Sequence, residues 1–101
     1  MDKRLALHEE LVGLLGSRDV YYQPPPSVKM KYPCIVYNRD GSDVLNANND
    51  LYRHKKRYQI TYIDRTSNEL VTDSLERMLY CRFDNKMVID NLYHTYLTLY
   101  Y

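Results

Sequence analysis

The sequence contains 101 residues with a mass of 12.2 kDa, which is the size of one domain and excludes a two-domain architecture. Hydrophobic residues make up 45% of the chain, but 12 of them are tyrosines, so much of the apolar surface carries a hydroxyl group. The formal net charge of +1 excludes a strongly basic nucleic-acid-binding protein. We therefore expect a single domain over residues 1–101. Any binding that depends on charge must come from a local cluster of charged side chains.

An amphipathic helix is predicted at the start of the chain. Apolar side chains that share about half of the helix circumference are Leu5, Leu7, Leu11, Val12, Leu14 and Leu15. Asp2 is the expected N-cap and Gly16 the expected end. This apolar arc is wide enough to cover a sheet and also to contact a partner. The same region lacks the apolar core of a signal peptide, so we expect a soluble protein made in a cytoplasm.

Two strands are predicted next, at residues 20–22 and 33–38, because both runs are rich in β-branched and aromatic residues. Between them, three consecutive prolines favour an extended loop over residues 23–32. Cys34 and Cys81 form neither a CxxC motif nor a pair beside histidines, so the sequence suggests neither a zinc site nor a secreted disulfide framework. We expect both to be reduced thiols in the core.

A long connection and a long strand follow. Nine of the thirteen residues in 38–50 are Asn, Asp, Gly or Ser, which predicts a hairpin connection or a flexible arm. Residues 52–63 alternate between a mostly aromatic and apolar face and a polar and basic one, as expected for a strand. Its length would be roughly 40 Å, so we expect its charged first half to project beyond the compact body.

A second amphipathic helix is predicted from Ser67 to Leu79, with Thr66 and Glu69 as a capping box. Short β-like runs at 80–83 and 87–89 are then interrupted by two turn-forming residues at 84–85. The chain closes with a two-sided apolar strand over 92–101, whose end we expect to be docked on the body.

The order of the predicted elements indicates an α+β fold. We expect a small, mainly antiparallel sheet with two helices packed on one face and a long β-hairpin or loop extension. The two strands between the helices should form an antiparallel hairpin.

No sequence motif for catalysis, nucleotide binding or metal binding is present. His8, His54 and His94 are far apart in the sequence, and we interpret each as a surface or interface residue. We therefore predict that the protein is not an enzyme and has no catalytic, cofactor-binding or metal site. A small enzyme would need a pocket assembled from scattered His and Asp residues.

The strongest local signal is a basic segment with four positive charges in residues 53–57. In a strand, Arg53, Lys55 and Arg57 share one face with a spacing of about 6.6 Å, close to that of successive phosphates along a DNA strand. The segment could contact nucleic acid or an acidic patch on a partner subunit. It could also be a solvated edge strand that is protected from aggregation by its lysines.

Tyrosines are the second signal, because tyrosine is enriched at protein interfaces. We expect Tyr58, Tyr62, Tyr93 and Tyr96 to fill the core. Either a structural or an interface role fits the tyrosines at element ends, which are Tyr21, Tyr22, Tyr52, Tyr100 and Tyr101. The predicted binding residues, at an interface or a lumen, are Tyr52, Arg53, Lys55, Lys56, Arg57, Tyr100 and Tyr101.

Several stretches together resemble small tail-completion proteins of long-tailed bacteriophages. They are residues 32–37, the Asn-rich loop 38–50, and residues 57–65, 80–84 and 90–94. The order of elements is also similar to that of tail terminators, which have an α/β fold and form a ring, generally of six copies, at the head-proximal end of the tail tube.

The resemblance implies a structural virion protein that ends tube polymerisation and joins the tail to the head connector. Its expected partners are further copies of itself, the tail tube protein, the head-tail connector proteins, and DNA that passes through the lumen without sequence recognition. It implies no cofactor, no membrane partner, and assembly in the bacterial host cytoplasm. We expect the basic half of strand 52–63, with the loop 38–50, to reach a neighbouring ring or the lumen.

Alternative functions are an adjacent neck connector or stopper, a minor tail protein, or a small DNA-binding module. A DNA-binding module should show a salt dependence of about three to four neutralised phosphates, each contributing about −0.9 to the logarithmic slope.

Overall fold

The computed structural model of the chain describes residues 3–40, 56–66, 69–78 and 81–101. Its elements in chain order are α1 (Lys3–Leu15), β1 (Val20–Tyr22), β2 (Cys34–Asp40), β3 (Arg57–Asp64), α2 (Glu69–Glu76), β4 (Cys81–Ile89) and β5 (Leu92–Tyr100). The strands form one sheet in the order β1-β2-β3-β5-β4. Three of the neighbouring pairs are antiparallel, and only β1 and β2 run parallel. The predicted α+β class and the predicted antiparallel β2–β3 pair are both confirmed.

The main core lies between the two helices and one face of the sheet. Its fully buried side chains include Leu7 and Leu11 from α1, Leu75 from α2, and Ile60 and Leu97 from the central strands. Because α1 and α2 also contact each other, both helices lie on the same side of the sheet, as predicted. Each central strand contributes alternate residues to this face, which is the pattern of a sheet with one covered side.

Most apolar side chains of α1 pack against the rest of the domain. Leu7 and Leu11 are fully buried, whereas Leu5 is 53% exposed. The helix ends where predicted: Gly16 has a φ of 84°, and its amide donates to the carbonyl oxygen of Val12 at 2.9 Å. A positive φ costs glycine little, so Gly16 closes the helix without strain. The expected N-cap, Asp2, lies outside the described residues.

The predicted boundaries of β2 and β3 need correction. β2 continues through Asn38 and Arg39 to Asp40, because these residues pair with Gln59, Tyr58 and Arg57 of β3. Cross-strand pairing therefore overrides the turn-forming character of Asn38 and Asp40. β3 begins at Arg57 in the structure. Residues 41–50 of the predicted long connection and residues 52–55 of the predicted strand lie outside the described residues.

The loop between β1 and β2 has no helix or strand, as predicted for residues 23–32. It is followed by a cis peptide bond between Tyr32 and Pro33. The amide of Lys31 donates to the hydroxyl of Tyr21 at 3.4 Å, and the amide of Arg39 donates to the side chain of Gln23 at 3.1 Å. These contacts hold the loop against the β1–β2 end of the sheet.

The second helix is shorter than predicted. α2 ends at Glu76 instead of Leu79, because the amide of Met78 bonds the carbonyl of Leu75 and tightens the last turn before the chain enters β4. The first predicted helical residues, Ser67 and Asn68, lie outside the described residues, as does Leu79. Both residues of the predicted capping box, Thr66 and Glu69, are described, but the Thr66 amide donates to the Asp64 carboxylate at 3.2 Å and not to Glu69.

The break predicted at residues 84–85 is wrong. β4 is one continuous strand with a register shift between Phe83 and Asn85, so Asp84 is the extra residue of a β-bulge and not a strand end. β4 and β5 are joined by Asp90 and Asn91 with φ values of 52° and 64°, the geometry of a two-residue type I′ hairpin turn.

Candidate interaction surfaces

Four of the seven predicted binding residues meet at one corner of the sheet, whereas Tyr52, Arg53 and Lys55 lie outside the described residues. Lys56 is exposed, and its backbone exchanges two hydrogen bonds of 3.0 Å with the backbone of Tyr101. Arg57 and Tyr100 are directly opposite each other in the β3–β5 ladder, and both are half-buried. We refer to Lys56, Arg57, Tyr100 and Tyr101 as the basic corner.

The two tyrosines of the basic corner have different surroundings. Tyr101 packs against the core, and the carboxylate of Glu10 on α1 lies near its hydroxyl. Burial raises the pKa of Tyr101, and the neighbouring Glu10 carboxylate raises it further. Tyr101 therefore docks the last strand on α1. Tyr100 alternates with the buried Leu99, so it lies on the sheet face away from the helices.

A second exposed surface lies at the end of β4 and was missed from the sequence. Met87, Val88 and Ile89 are 40%, 57% and 42% exposed, and we refer to these three residues as the apolar tip. β4 is an edge strand, paired only with β5 among the described strands. The sequence does contain three consecutive apolar residues here, but their exposure depends on the position of β4 in the sheet.

An acidic groove runs between α2 and β4. It is lined by the carboxylates of Glu69, Asp73 and Glu76 together with Thr72, Phe83 and Lys86, and its volume is about 200 Å³. Small-molecule sites usually enclose about 300–1,000 Å³. The groove is smaller than that and open to solvent, so it does not have the form of an enclosed substrate pocket.

Polar clusters in the core hold elements together. The Tyr37 hydroxyl lies 2.8 Å from Nδ1 of His8 and accepts from Nη1 of Arg4 at 3.3 Å, which ties β2 to α1. Burial raises the pKa of Tyr37 despite the opposing effect of Arg4. The Tyr62 hydroxyl donates to the buried Asp64 carboxylate at 2.5 Å, and burial, followed by this contact, raises the pKa of Tyr62.

Among the described residues, the remaining side chains with catalytic or metal-binding chemistry lie on separate elements. His8 lies on α1, and Nδ1 of His94 on β5 is 3.1 Å from the carbonyl oxygen of Leu92. Cys34 is buried, Cys81 is half-buried, and both are free thiols, as predicted. Over the described ranges, no group of three or more His, Cys, Asp or Glu residues is arranged to hold a metal ion.

Comparisons with known proteins identify no relative: the chain matches no protein-family model, no curated protein and no solved structure. In the part of the chain that the structure describes, neither helix has the length and apolar character needed to span a membrane.

Proposed function

We propose that the protein is a structural virion subunit of a long-tailed bacteriophage. It forms a ring, of six copies, at the head-proximal end of the tail tube, ends tube polymerisation and joins the tail to the head connector. The phage assignment rests on the sequence resemblance. The structural observation that supports a ring is the presence of two different exposed surfaces on one small domain.

These two surfaces lie at opposite ends of the sheet. β5 begins at Leu92 beside Ile89 of the apolar tip and ends at Tyr100 beside Arg57 of the basic corner. Eight residue steps at about 3.3 Å each place the two ends roughly 26 Å apart. A head-to-tail contact joins two unlike surfaces, and it closes into a ring when the rotation between copies allows it. The separation of the two surfaces therefore favours this kind of assembly.

The proposed partners follow from this position in the particle. Copies of the chain contact each other and the tail tube protein on one side and the connector proteins on the other. DNA passes through the lumen without sequence recognition, which the formal net charge of +1 supports, because strong nucleic-acid binders are usually basic. In this proposal the chain carries out no catalysis and holds no cofactor, and it assembles in the host cytoplasm.

The test uses tails and heads purified from particles that lack this protein, with joined particles counted by electron microscopy. Wild-type protein should restore joining. Lys56→Glu should abolish it, because Lys56 is the exposed cation of the basic corner. Lys29→Glu is the matched control, since Lys29 is an exposed lysine in the loop between β1 and β2 and should leave joining intact. Wild-type protein that neither caps tails nor restores joining would overturn the proposal.

A further inference from the structure

The outer side of β4 offers backbone groups for another strand. In a type I′ hairpin with a two-residue turn, the residues flanking the turn exchange hydrogen bonds with each other, which here are Ile89 and Leu92. Val88, one position further, therefore directs its amide and carbonyl away from β5. At Lys86, two positions further, the outward amide already donates to the side-chain oxygen of Asn85 at 2.8 Å.

The side chains around Val88 are unusual for an edge strand. Edge strands are normally protected by charges or prolines, yet Met87, Val88 and Ile89 are all apolar and at least 40% exposed. Val88 lies on the helix side of the sheet and its two neighbours on the other side, because side chains alternate along a strand. Both faces of the edge are thus apolar at this point.

The charges that flank the apolar tip have opposite signs, with Lys86 before it and Asp90 after it. In an antiparallel pair of identical strands centred on Val88, Val88 faces Val88. Met87 then faces Ile89 of the other copy on the same side of the sheet, and Lys86 lies beside the hairpin turn of the other copy, which carries Asp90. Moving the centre to Lys86 places two lysines opposite each other.

We propose that two copies of the free protein pair through their β4 edges, antiparallel and centred on Val88, and join their two five-stranded sheets into one. The contact is two-fold symmetric, so it goes beyond the proposed ring and does not depend on the phage assignment. It covers the apolar tip before assembly, and the pair separates when a copy enters the particle.

A second copy is favoured over another kind of partner because the edge is complementary to itself in length, apolar character and charge. The opposite edge of the same sheet is less suitable, since β1 has only three residues. In a strand from an unrelated protein, nothing would require an anion near Lys86 and a cation near Asp90.

The first experiment measures the mass of the free protein by sedimentation equilibrium. Wild-type protein should approach twice 12.2 kDa, about 24 kDa, with rising concentration. Val88→Lys places two positive charges at the symmetry axis and should leave a monomer at the same concentrations. Leu70→Lys is the matched control and should still pair, because Leu70 on α2 is 76% exposed and outside the β4 edge. A single cooperative urea-unfolding transition should verify that both variants fold.

The second experiment tests the register by oxidation. Val88→Cys should form an intermolecular disulfide, because opposed residues of a hydrogen-bonded pair have Cα atoms about 5.5 Å apart, within the range of disulfides. Ile89→Cys should cross-link far more slowly, since the two Ile89 positions are offset and more than about 7 Å apart. Wild-type protein, oxidised in parallel, shows whether the native Cys34 and Cys81 form disulfides under the same conditions. Burial raises their pKa values to about 12 and about 11 and keeps both thiols protonated at neutral pH.

These measurements separate the pairing from the ring. A wild-type monomer at all concentrations, or a dimer that Val88→Lys does not change and Val88→Cys does not cross-link, would overturn the pairing. A species of six copies that Val88→Cys does not cross-link would also overturn the pairing but would support the ring, because a head-to-tail contact does not bring two Val88 positions together. Loss of the 24 kDa species in Val88→Lys but not in Leu70→Lys would support the pairing. This conclusion would hold whether or not the protein joins heads to tails.

Discussion

At the residue scale, burial couples the ionisation of both cysteines, as well as that of Tyr62, to folding. Cys34 on β2 is completely buried, and burial, with a smaller effect of the Asp19 charge, raises the pKa of its thiol from 9.0 to about 12. Cys81 at the start of β4 is half-buried, and burial, followed by the charges of Glu76 and Asp84, raises its pKa to about 11. Both thiols are therefore protonated in the folded chain under conditions in which an exposed thiol is ionised.

This coupling predicts a loss of stability in alkaline solution. Below pH 9 both the folded and the unfolded chain hold the thiol protons, so the free energy of unfolding does not depend on these groups. Above pH 9 the unfolded chain releases protons that the folded chain keeps, so its free energy falls relative to that of the folded chain. Cys34 alone should lower the free energy of unfolding by up to about 1.4 kcal/mol per pH unit.

Urea unfolding between pH 8 and pH 10 measures this effect, because tyrosines in the unfolded chain contribute mainly above that range. Cys34→Ala should be less stable at pH 8, since it leaves a cavity, but its stability should decline less steeply with pH than that of the wild-type protein. Equal slopes in the two proteins would contradict the assignment of the alkaline loss to Cys34.

At the element scale, the ends and turns of the chain depend on a few residues with positive φ. Gly16 ends α1 with a φ of 84°, and Asp90 and Asn91 turn β4 into β5. The hairpin turn is formed by residues that tolerate the left-handed region without being glycine. These positions determine where α1 stops and how far β4 extends, and so where the apolar tip lies.

Two glycines of α1 allow a matched comparison. Gly16→Ala should lower the free energy of unfolding by about 1 kcal/mol, because a left-handed conformation is costly for a residue with a Cβ atom. Gly13→Ala should raise it by about 0.5–1 kcal/mol, because Gly13 is within the helix and an added Cβ meets no atom within 4 Å. Chemical unfolding measures both. A destabilising Gly13→Ala, or a neutral Gly16→Ala, would show that the described helix end is incorrect.

At the scale of the whole molecule, the sequence predicted most elements but not how they are arranged. The apolar periodicity of α1 and its glycine end, the short β1 strand and the amphipathic α2 were all identified from local patterns. The parallel pairing of β1 with β2 was not, because a three-residue strand carries too little pattern to specify a partner. The predicted break in β4 was wrong because a bulge accommodates Asp84 without ending the strand.

The two candidate surfaces differ in how far local sequence patterns predicted them. The basic corner was predicted in part, since Lys56 and Arg57 belong to a charge cluster that is visible in the sequence. The apolar tip was not, because residues 87–89 look like a buried strand until the sheet order makes β4 an edge. Burial follows from the arrangement of strands across the whole sheet, and local periodicity does not contain that information.

The charge distribution of the whole molecule predicts weak binding to duplex DNA. A subunit that lets DNA pass should bind duplex DNA weakly, because four clustered cations in residues 53–57 neutralise at most about four phosphates. We expect no retention on a DNA column at physiological salt. Lys56→Glu should abolish the residual binding at low salt, whereas Lys29→Glu, the same change on an exposed loop, should have a smaller effect. Retention at physiological salt, with the logarithmic slope of about −2.7 to −3.6 expected for three to four neutralised phosphates, would instead favour a DNA-binding module.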